Sequence, residues 1–173
     1  MDWPRSLVLP HGAVTITPYT IHSIGAVFGT PSAPTSAVWP EANRAIYIPF
    51  RIAQPMLAVK LFVANGTAVS GNVDMGIYDQ AGVRLVSIGS TAQAGVSAIQ
   101  EFDIADTLLG AGLFYLALAI DNTTATILRT SQLTAVELEL MGMAQQATAF
   151  PLPATATFAV VASGVLPLQG LSA

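Results

Sequence analysis

The sequence lacks cysteine and has few charged residues for its length. Without cysteine, disulfide bonds, thiolate metal sites and cysteine nucleophiles are all excluded. Charged residues make up 9% of the 173 residues and hydrophobic residues 53%, whereas an average domain is about 25% charged. A single domain of this composition exposes large, weakly polar areas, and such areas usually mark contact sites. We therefore expect self-association, and the alternative is a monomer whose surface is rich in Thr, Ser and Ala.

Charge is also unevenly distributed along the chain. Residues 6–40 and 140–173 contain no Asp, Glu, Lys or Arg, and all charges except those of Asp2 and Arg5 lie within residues 41–139. Chain ends normally lie at the surface and are poorly ordered unless something holds them. The two uncharged ends are therefore expected to be contact segments.

Composition argues against nucleic acid and membranes as partners. Six Lys and Arg residues are scattered through a chain of net charge −4, whereas phosphate binding needs clustered cations. The longest clean apolar run, residues 113–120, is far shorter than the roughly 18 residues of a membrane-spanning helix. The first residues also lack the features of a secretory signal, so we expect no export by that route.

Residues 44–142 are typical of an all-β domain, because turn residues recur at intervals of roughly 8–12. Pro49 cannot donate to a strand ladder, which predicts an edge position or a bulge in the first strand. Residues 113–120 show no polar alternation, which predicts a central strand covered on both faces. Strands are predicted at residues 45–52, 56–64, 100–104, 113–120 and, more weakly, 125–129, with a hairpin at residues 72–89.

Residues 134–140 admit two interpretations. Val136, Leu138 and Leu140 alternate with two glutamates, and this alternation favours a strand. The competing interpretation is a short helix that begins at Ser131. With the strand included, the chain has seven or eight antiparallel strands, which predict a β-sandwich of jelly-roll or related topology.

The strand pattern divides the chain into three parts. Residues 1–42 are predicted to be an N-terminal arm, residues 43–142 the sandwich and residues 143–173 a C-terminal arm. Residues 13–17 and 157–161 can each form a strand, which pairs either with a neighbouring subunit or with the other arm of the same chain. The sandwich is expected to have a complete core without the arms.

No constellation of residues points to catalysis, a metal or a cofactor. His11 and His22 lie in the N-terminal arm with no carboxylate close in sequence. Glu101, Asp103 and Asp106 are the nearest approach to a site, but a solvated strand face explains them better than a calcium site or a glycosidase pair. We therefore predict a protein that is not an enzyme and holds no cofactor.

Aromatic residues in the arms are the candidate contacts. Both tryptophans precede a proline, and an anchor in an interface pocket is favoured over a platform that stacks sugar rings. The candidate interface or ligand-contact residues are Trp3, Tyr19, Trp39, Phe150 and Phe158.

Two blocks resemble virion structural proteins of tailed bacteriophages. They are GNVDMGIYDQAGVRLVSIGST at residues 71–91 and FYLALA at residues 114–119. Such proteins often carry an IYD-x-x-G turn and a strand of this kind in β-sandwich domains. The resemblance implies a non-enzymatic virion protein, assembled in the host cytoplasm, that forms homo-oligomers such as trimers. Other virion proteins, among them the major capsid protein, are its expected partners.

Within that class, the expected role is a capsid decoration or cement subunit whose uncharged arms pack on neighbouring subunits. One alternative is a tail or fibre subunit that binds a glycan receptor, although the chain lacks the repeats of a fibre shaft. Another is a cellular carbohydrate-binding module, which requires accessible aromatic side chains and a polar, monomeric surface.

Overall fold

The computed structural model describes residues 34–130 and 133–173, together with the backbone of Ile21–His22. Strands make up 53% of the structure and helix 4%, which confirms an all-β protein with antiparallel sheets. The elements are β1 (Ile21–His22), β2 (Thr35–Val38), β3 (Ala45–Ile52), β4 (Met56–Ala64), β5 (Asn72–Asp79), β6 (Arg84–Ser87), β7 (Thr91–Ala92), β8 (Ile99–Leu109), β9 (Gly112–Ile120), β10 (Thr126–Thr130), α1 (Ala135–Leu140), β11 (Ala144–Gln146), β12 (Leu166–Pro167) and β13 (Gln169–Ser172).

The described strands form three antiparallel sheets. The first sheet has the order β11-β3-β9-β5-β6, and β7 also pairs with β5. The second sheet has the order β1-β13-β4-β8, and the third has the order β12-β10-β2. Strand β9 lies between β3 and β5, so the prediction that residues 113–120 are central is confirmed.

The two clearest predicted strands are confirmed to the residue as β3 and β4. Strand β11 pairs only with residues 45–47 of β3, so Pro49 lies where β3 has a strand on one side alone. The predicted hairpin is formed by β5 and β6. Its turn is closed by Asp79, whose backbone N–H donates to the carbonyl of Val83 over 2.9 Å, and Gly82 adopts the positive φ of +82° that the turn requires.

The main core lies where the inner faces of the sheets meet. Period-two alternation sends one side of each strand into this core, so the first sheet contributes residues such as Ile48, Met75 and Leu118. The second sheet contributes Leu61 and Leu171. Further buried members are Trp39, Ile46, Val63, Val73, Ile77, Phe102, Leu116, Ile120, Ile127, Leu138, Val161, Val165 and Leu166.

The strand predicted at residues 134–140 is wrong, because α1 occupies this segment. Thr134 is the N-cap of a capping box in which its hydroxyl accepts from the Glu137 N–H over 3.3 Å and the Glu137 carboxylate accepts from the Thr134 N–H over 2.7 Å. Leu138 packs in the core, whereas Val136 and Leu140, one turn apart, are exposed. The alternation that suggested a strand therefore contains only one core residue. Ser131, where the competing helix was placed, lies outside the described residues.

The C-terminal segment (residues 143–173) is not an arm outside the core, and the expectation that the core is complete without it is wrong. Strand β13 pairs with β4 and places Leu171 opposite Leu61, and Val161 is also buried. This segment is uncharged because its own chain buries it. The strand predicted at residues 157–161 is absent, since Ala159 makes only an isolated bridge with Gln145.

The pairing of the two chain ends within one molecule is observed for a short stretch. Ile21 is the register partner of Leu171, and His22 is the partner of Gly170. The strand predicted at residues 13–17 lies outside the described residues.

Gly164 marks the point where the C-terminal segment returns to the core. A Cβ atom at this position would lie 1.8 Å from the carbonyl oxygen of Leu133, which real contacts do not permit. The close approach therefore requires glycine, and it brings the segment against the residue just before α1.

Substitution of Leu171 tests whether the C-terminal segment belongs to the core. Leu171 is fully buried, so Leu171→Ala should lower the free energy of unfolding by about 2–5 kcal/mol. Leu140, 84% exposed on α1, is the matched control, and Leu140→Ala should change that free energy by less than about 0.5 kcal/mol. Urea denaturation measures both, and equal small effects would contradict the placement of β13.

Candidate functional site

The outer face of the first sheet is covered by residues 149–158, which we call the strap. The face itself is lined by small residues and tyrosines, among them Ala45, Tyr47 and Tyr78. Ala149 and Leu152 of the strap pack on it, each 2% exposed. The outer face of the first sheet is therefore a second buried layer within the domain.

Aromatic rings hold the far end of the strap. Phe158 meets Tyr47 edge-on with ring centroids 5.1 Å apart, and it lies 4.5 Å from the ring of Tyr115. Tyr47 in turn meets Tyr78 edge-on at 5.3 Å. Such pairs add stability beyond the area that they bury.

The two buried tyrosines also bind the C-terminal segment through their hydroxyls. Tyr78 donates to the carbonyl of Pro153 over 2.6 Å, and Tyr47 donates to Oε1 of Gln146 over 3.1 Å. Burial raises the pKa of Tyr47 to about 12 and raises that of Tyr78 as well. Both hydroxyls therefore remain neutral donors around pH 7.

A buried carboxylate fixes the middle of the strap. Asp74 of β5 is fully buried, and its Oδ2 accepts from the backbone N–H of Leu152 over 2.8 Å. Its Oδ1 accepts from the hydroxyl of Ser87 over 2.7 Å. The guanidinium of Arg84 donates to the carbonyl of Leu152, so side chains of the sheet hold both polar groups of this strap residue. We call Asp74, Arg84 and Ser87 the clamp.

The surroundings of the clamp raise the pKa of its carboxyl group. Burial is the largest influence and raises the pKa of Asp74 above its ordinary value of 3.8. Hydrogen bonds from Ser87 and Leu152 and the positive charge of Arg84 act in the opposite direction without cancelling the effect of burial.

A cavity of about 670 Å³ opens beside the clamp. Asp74, Arg84, Ser87 and Ser90 line it together with Pro151 of the strap. The guanidinium of Arg84 and the hydroxyl of Ser90 can hydrogen-bond a polar molecule there, whereas Asp74 and Ser87 already bond to each other. Its lining has no histidine and no second carboxylate, so the cavity does not present an acid–base pair of the kind glycosidases use.

The outward surface of β4 and β8 is a second candidate site, which we call the β4–β8 face. Lys60 lies 3.2 Å from Oε2 of Glu101 and 3.5 Å from Oδ1 of Asp103, so these acids form a salt-bridged strand face. Charged side chains of this kind also protect an edge strand such as β8 from pairing with other chains. No described group of three or more His, Cys, Asp or Glu residues can hold a metal ion.

One end of the β4–β8 face is apolar. Leu57 and Leu108 are cross-strand partners on the side turned away from the core, because their neighbours Ala58 and Leu109 are buried. Leu57 is 43% exposed and Leu108 is 71% exposed. The two leucines lie side by side on paired strands and form an exposed apolar patch.

The candidate contact residues predicted from sequence differ in how far they are exposed in the structure. Trp39 is 1% exposed, and its indole N–H donates to the carbonyl of Arg44 over 3.1 Å, so it anchors the core and is not accessible to a sugar or a neighbour. Phe150 belongs to the strap and is partly buried against the outer face of the first sheet. Phe158 is 37% exposed, and its ring contacts Tyr47 and Tyr115. Trp3 and Tyr19 lie outside the described residues, as does His11.

Sequence reasoning missed the clamp. Asp74 occupies an alternate position between Val73 and Met75, which predicts a wet strand face. The strap that covers this face comes from 78 residues further along the chain, and no local pattern indicates the contact. The GNVDMGIYD block contained Asp74, but nothing in it distinguished a buried acid from an exposed one.

Comparison with known proteins does not assign the chain to a family. No family model matches the chain, and no curated protein shows significant similarity to it. In the part of the chain that the structure describes, no helix is long and apolar enough to span a membrane.

The raised pKa of Asp74 predicts how stability depends on pH. Between its ordinary value and its raised value the folded state binds more protons than the unfolded state, so acidification through this range should stabilise the wild type relative to Asp74→Asn. At higher pH the cost of burying the charge is fully present. Urea denaturation of both proteins over a pH series measures the difference in unfolding free energy.

Two results would contradict that prediction. A difference that does not vary with pH would mean that Asp74 does not titrate in this range. A wild type that loses stability relative to the variant on acidification would mean that the hydrogen bonds outweigh burial. Glu139→Gln, at an exposed position on α1, is the control for loss of a carboxylate.

Proposed function

We propose that this protein is a non-enzymatic structural subunit of a tailed-phage virion, and specifically a decoration or cement subunit on the capsid. The resemblance of residues 71–91 and 114–119 to such proteins supports the class. The assignment to the capsid surface rests on the low overall charge of the chain and on its exposed apolar residues.

The observation that carries the proposal is the amount of apolar surface on regular elements of a chain with few charges. A soluble monomer normally spaces such residues singly among charges. Here six large apolar side chains on strands and on α1 are between 43% and 84% exposed: Val38, Leu57, Ile99, Leu108, Val136 and Leu140. Contact with neighbouring subunits at faces such as the β4–β8 face accounts for part of this exposure.

The finer fold in this proposal is a two-layer β-sandwich of jelly-roll type. Its support is the single core to which the first sheet contributes Met75 and Leu118 and the second sheet contributes Leu61 and Leu171. Stacked sheets that share a core in this way are a common architecture of viral capsid domains.

The C-terminal segment has a different role from the one expected of an arm. Because the clamp and β13 bind it within its own chain, the contacts with neighbours fall to exposed faces such as the β4–β8 face. Because β4 and β8 are paired strands, the side chains of this face have a fixed arrangement. A subunit that repeats many times on a shell needs such a fixed contact surface.

A second candidate is a tail or fibre subunit that binds a glycan. The cavity beside the clamp favours it, since Arg84 and Ser90 offer hydrogen-bond donors to sugar hydroxyls. Under this alternative, Arg84→Ala should abolish binding on a glycan array, whereas Trp39→Ala should act only through loss of stability.

Particle fractionation tests the capsid proposal. Particles made in cells that express the chain should carry it after gradient purification, and an electron-dense label on it should appear over the capsid surface. Recovery only in the soluble fraction would contradict a virion role, and a label on the tail or fibre tip would favour the alternative. Purified protein mixed with particles that lack it is the control, because an external decoration should bind them to saturation.

A further inference from the structure

We infer that the β4–β8 face binds a second copy of this chain, and that the contact runs from this face to the opposite outer face of the neighbour. This inference rests on the proposed function and adds the partner that the surface binds. Charged and apolar residues at one end of the domain support this contact.

The β4–β8 face has an excess of negative charge. Glu101, Asp103 and Asp106 of β8 are exposed, whereas Lys60 is the one cation on the paired part of β4. Lys60 pairs with Glu101 and Asp103, and Asp106 has no salt bridge to any described residue. Asp106 stands two residues before Leu108, so an unpaired anion lies next to the exposed leucine pair.

A matching cation lies at the same end of the domain on the other outer face. Arg51 of β3 is exposed and makes no salt bridge to a described residue. Alternation from buried Tyr47 places Pro49 and Arg51 on the outer face of the first sheet. Leu113, the cross-strand partner of Arg51, is half-buried. An unpaired cation therefore lies beside apolar side chains, as the anion does on the β4–β8 face.

The other cations of the described residues are already engaged. Arg44 pairs with Glu41, Lys60 pairs with Glu101, and Arg84 donates to the carbonyl of Leu152. Arg129 is half-buried, and burial lowers its pKa. Arg51 is thus the exposed cation that can complement Asp106 on another copy.

The positions of the two faces determine the kind of assembly. Residues Leu57 and Leu108 point away from the shared core on the second sheet, and Arg51 points away from it on the first sheet. A contact between two different faces is heterologous, so it closes into a ring or continues into a chain and does not stop at a two-fold dimer. Charge complementarity fixes the register, and the leucines supply buried apolar area.

Sedimentation of the isolated protein tests the inference without a virion. The wild type should form species larger than a dimer as its concentration rises from micromolar towards millimolar, and high salt should weaken them. Arg51→Asp and Asp106→Arg should each weaken association by about tenfold or more, because each places like charges in contact. The double variant should restore association, and so should an equimolar mixture of the two single variants.

Leu108→Ser should also weaken association, and its matched controls lie on α1. Leu140→Ser and Glu139→Arg change an exposed leucine and an exposed acid of α1, which belongs to neither face, and both should associate like the wild type. Circular dichroism should show all variants folded, since every substituted residue is exposed.

Several outcomes would overturn the inference. They are a wild type that stays monomeric, a dimer that does not grow, single charge reversals that the double variant fails to restore, or loss of association in the α1 controls alone. A monomeric protein that still binds particles would refute self-association and leave the capsid role intact. A protein that self-associates and never binds particles would refute the capsid role and leave this contact intact.

Discussion

Both faces of the first sheet have to be kept from water, and most of the structure follows from this requirement. Strand β9 is buried on its two sides from Leu116 to Ile120, so each side needs its own cover. The second and third sheets cover the inner side. The strap covers the outer side, and the same C-terminal segment then enters the sheets opposite as β12 and β13. One uncharged segment therefore completes two buried layers, which explains the apolar residues that it buries, such as Leu152 and Leu171.

A segment that crosses a sheet face without forming a ladder has to find hydrogen bonds elsewhere. Buried backbone groups left unpaired are costly, and the strap has few strand partners of its own. Side chains of the sheet supply the bonds: Asp74 and Arg84 bind the peptide groups of Leu152, and Tyr78 binds the carbonyl of Pro153. The buried acid is thus explained by the irregular backbone above it, and the cavity at its side is the space that the strap leaves open.

The sequence predicts local structure well, but it does not predict which segment packs over each face of a sheet. Strands β3 and β4 were predicted to the residue because alternation and turn residues are local properties. Thr134 and Glu137 have the spacing of a capping box, which favours the helix α1. Val136, Leu138 and Leu140 also alternate as in a strand, so the local pattern alone does not distinguish the two structures. The clamp was not predictable, since the burial of Asp74 depends on Leu152, 78 positions away. Trp39 was assigned to a contact surface for the same reason: its burial is produced by tertiary packing.

The place of β13 between β1 and β4 has a consequence for biosynthesis. Leu61 leaves the ribosome long before Leu171, its register partner roughly 110 residues later. Throughout that interval one edge of β4 has no strand beside it, and Lys60 is the sole charge on that strand to discourage wrong pairing. The nascent chain therefore carries an open sheet edge until residue 171 has left the ribosome. Slow translation of the residues between β4 and β13 should prolong the exposure of this edge.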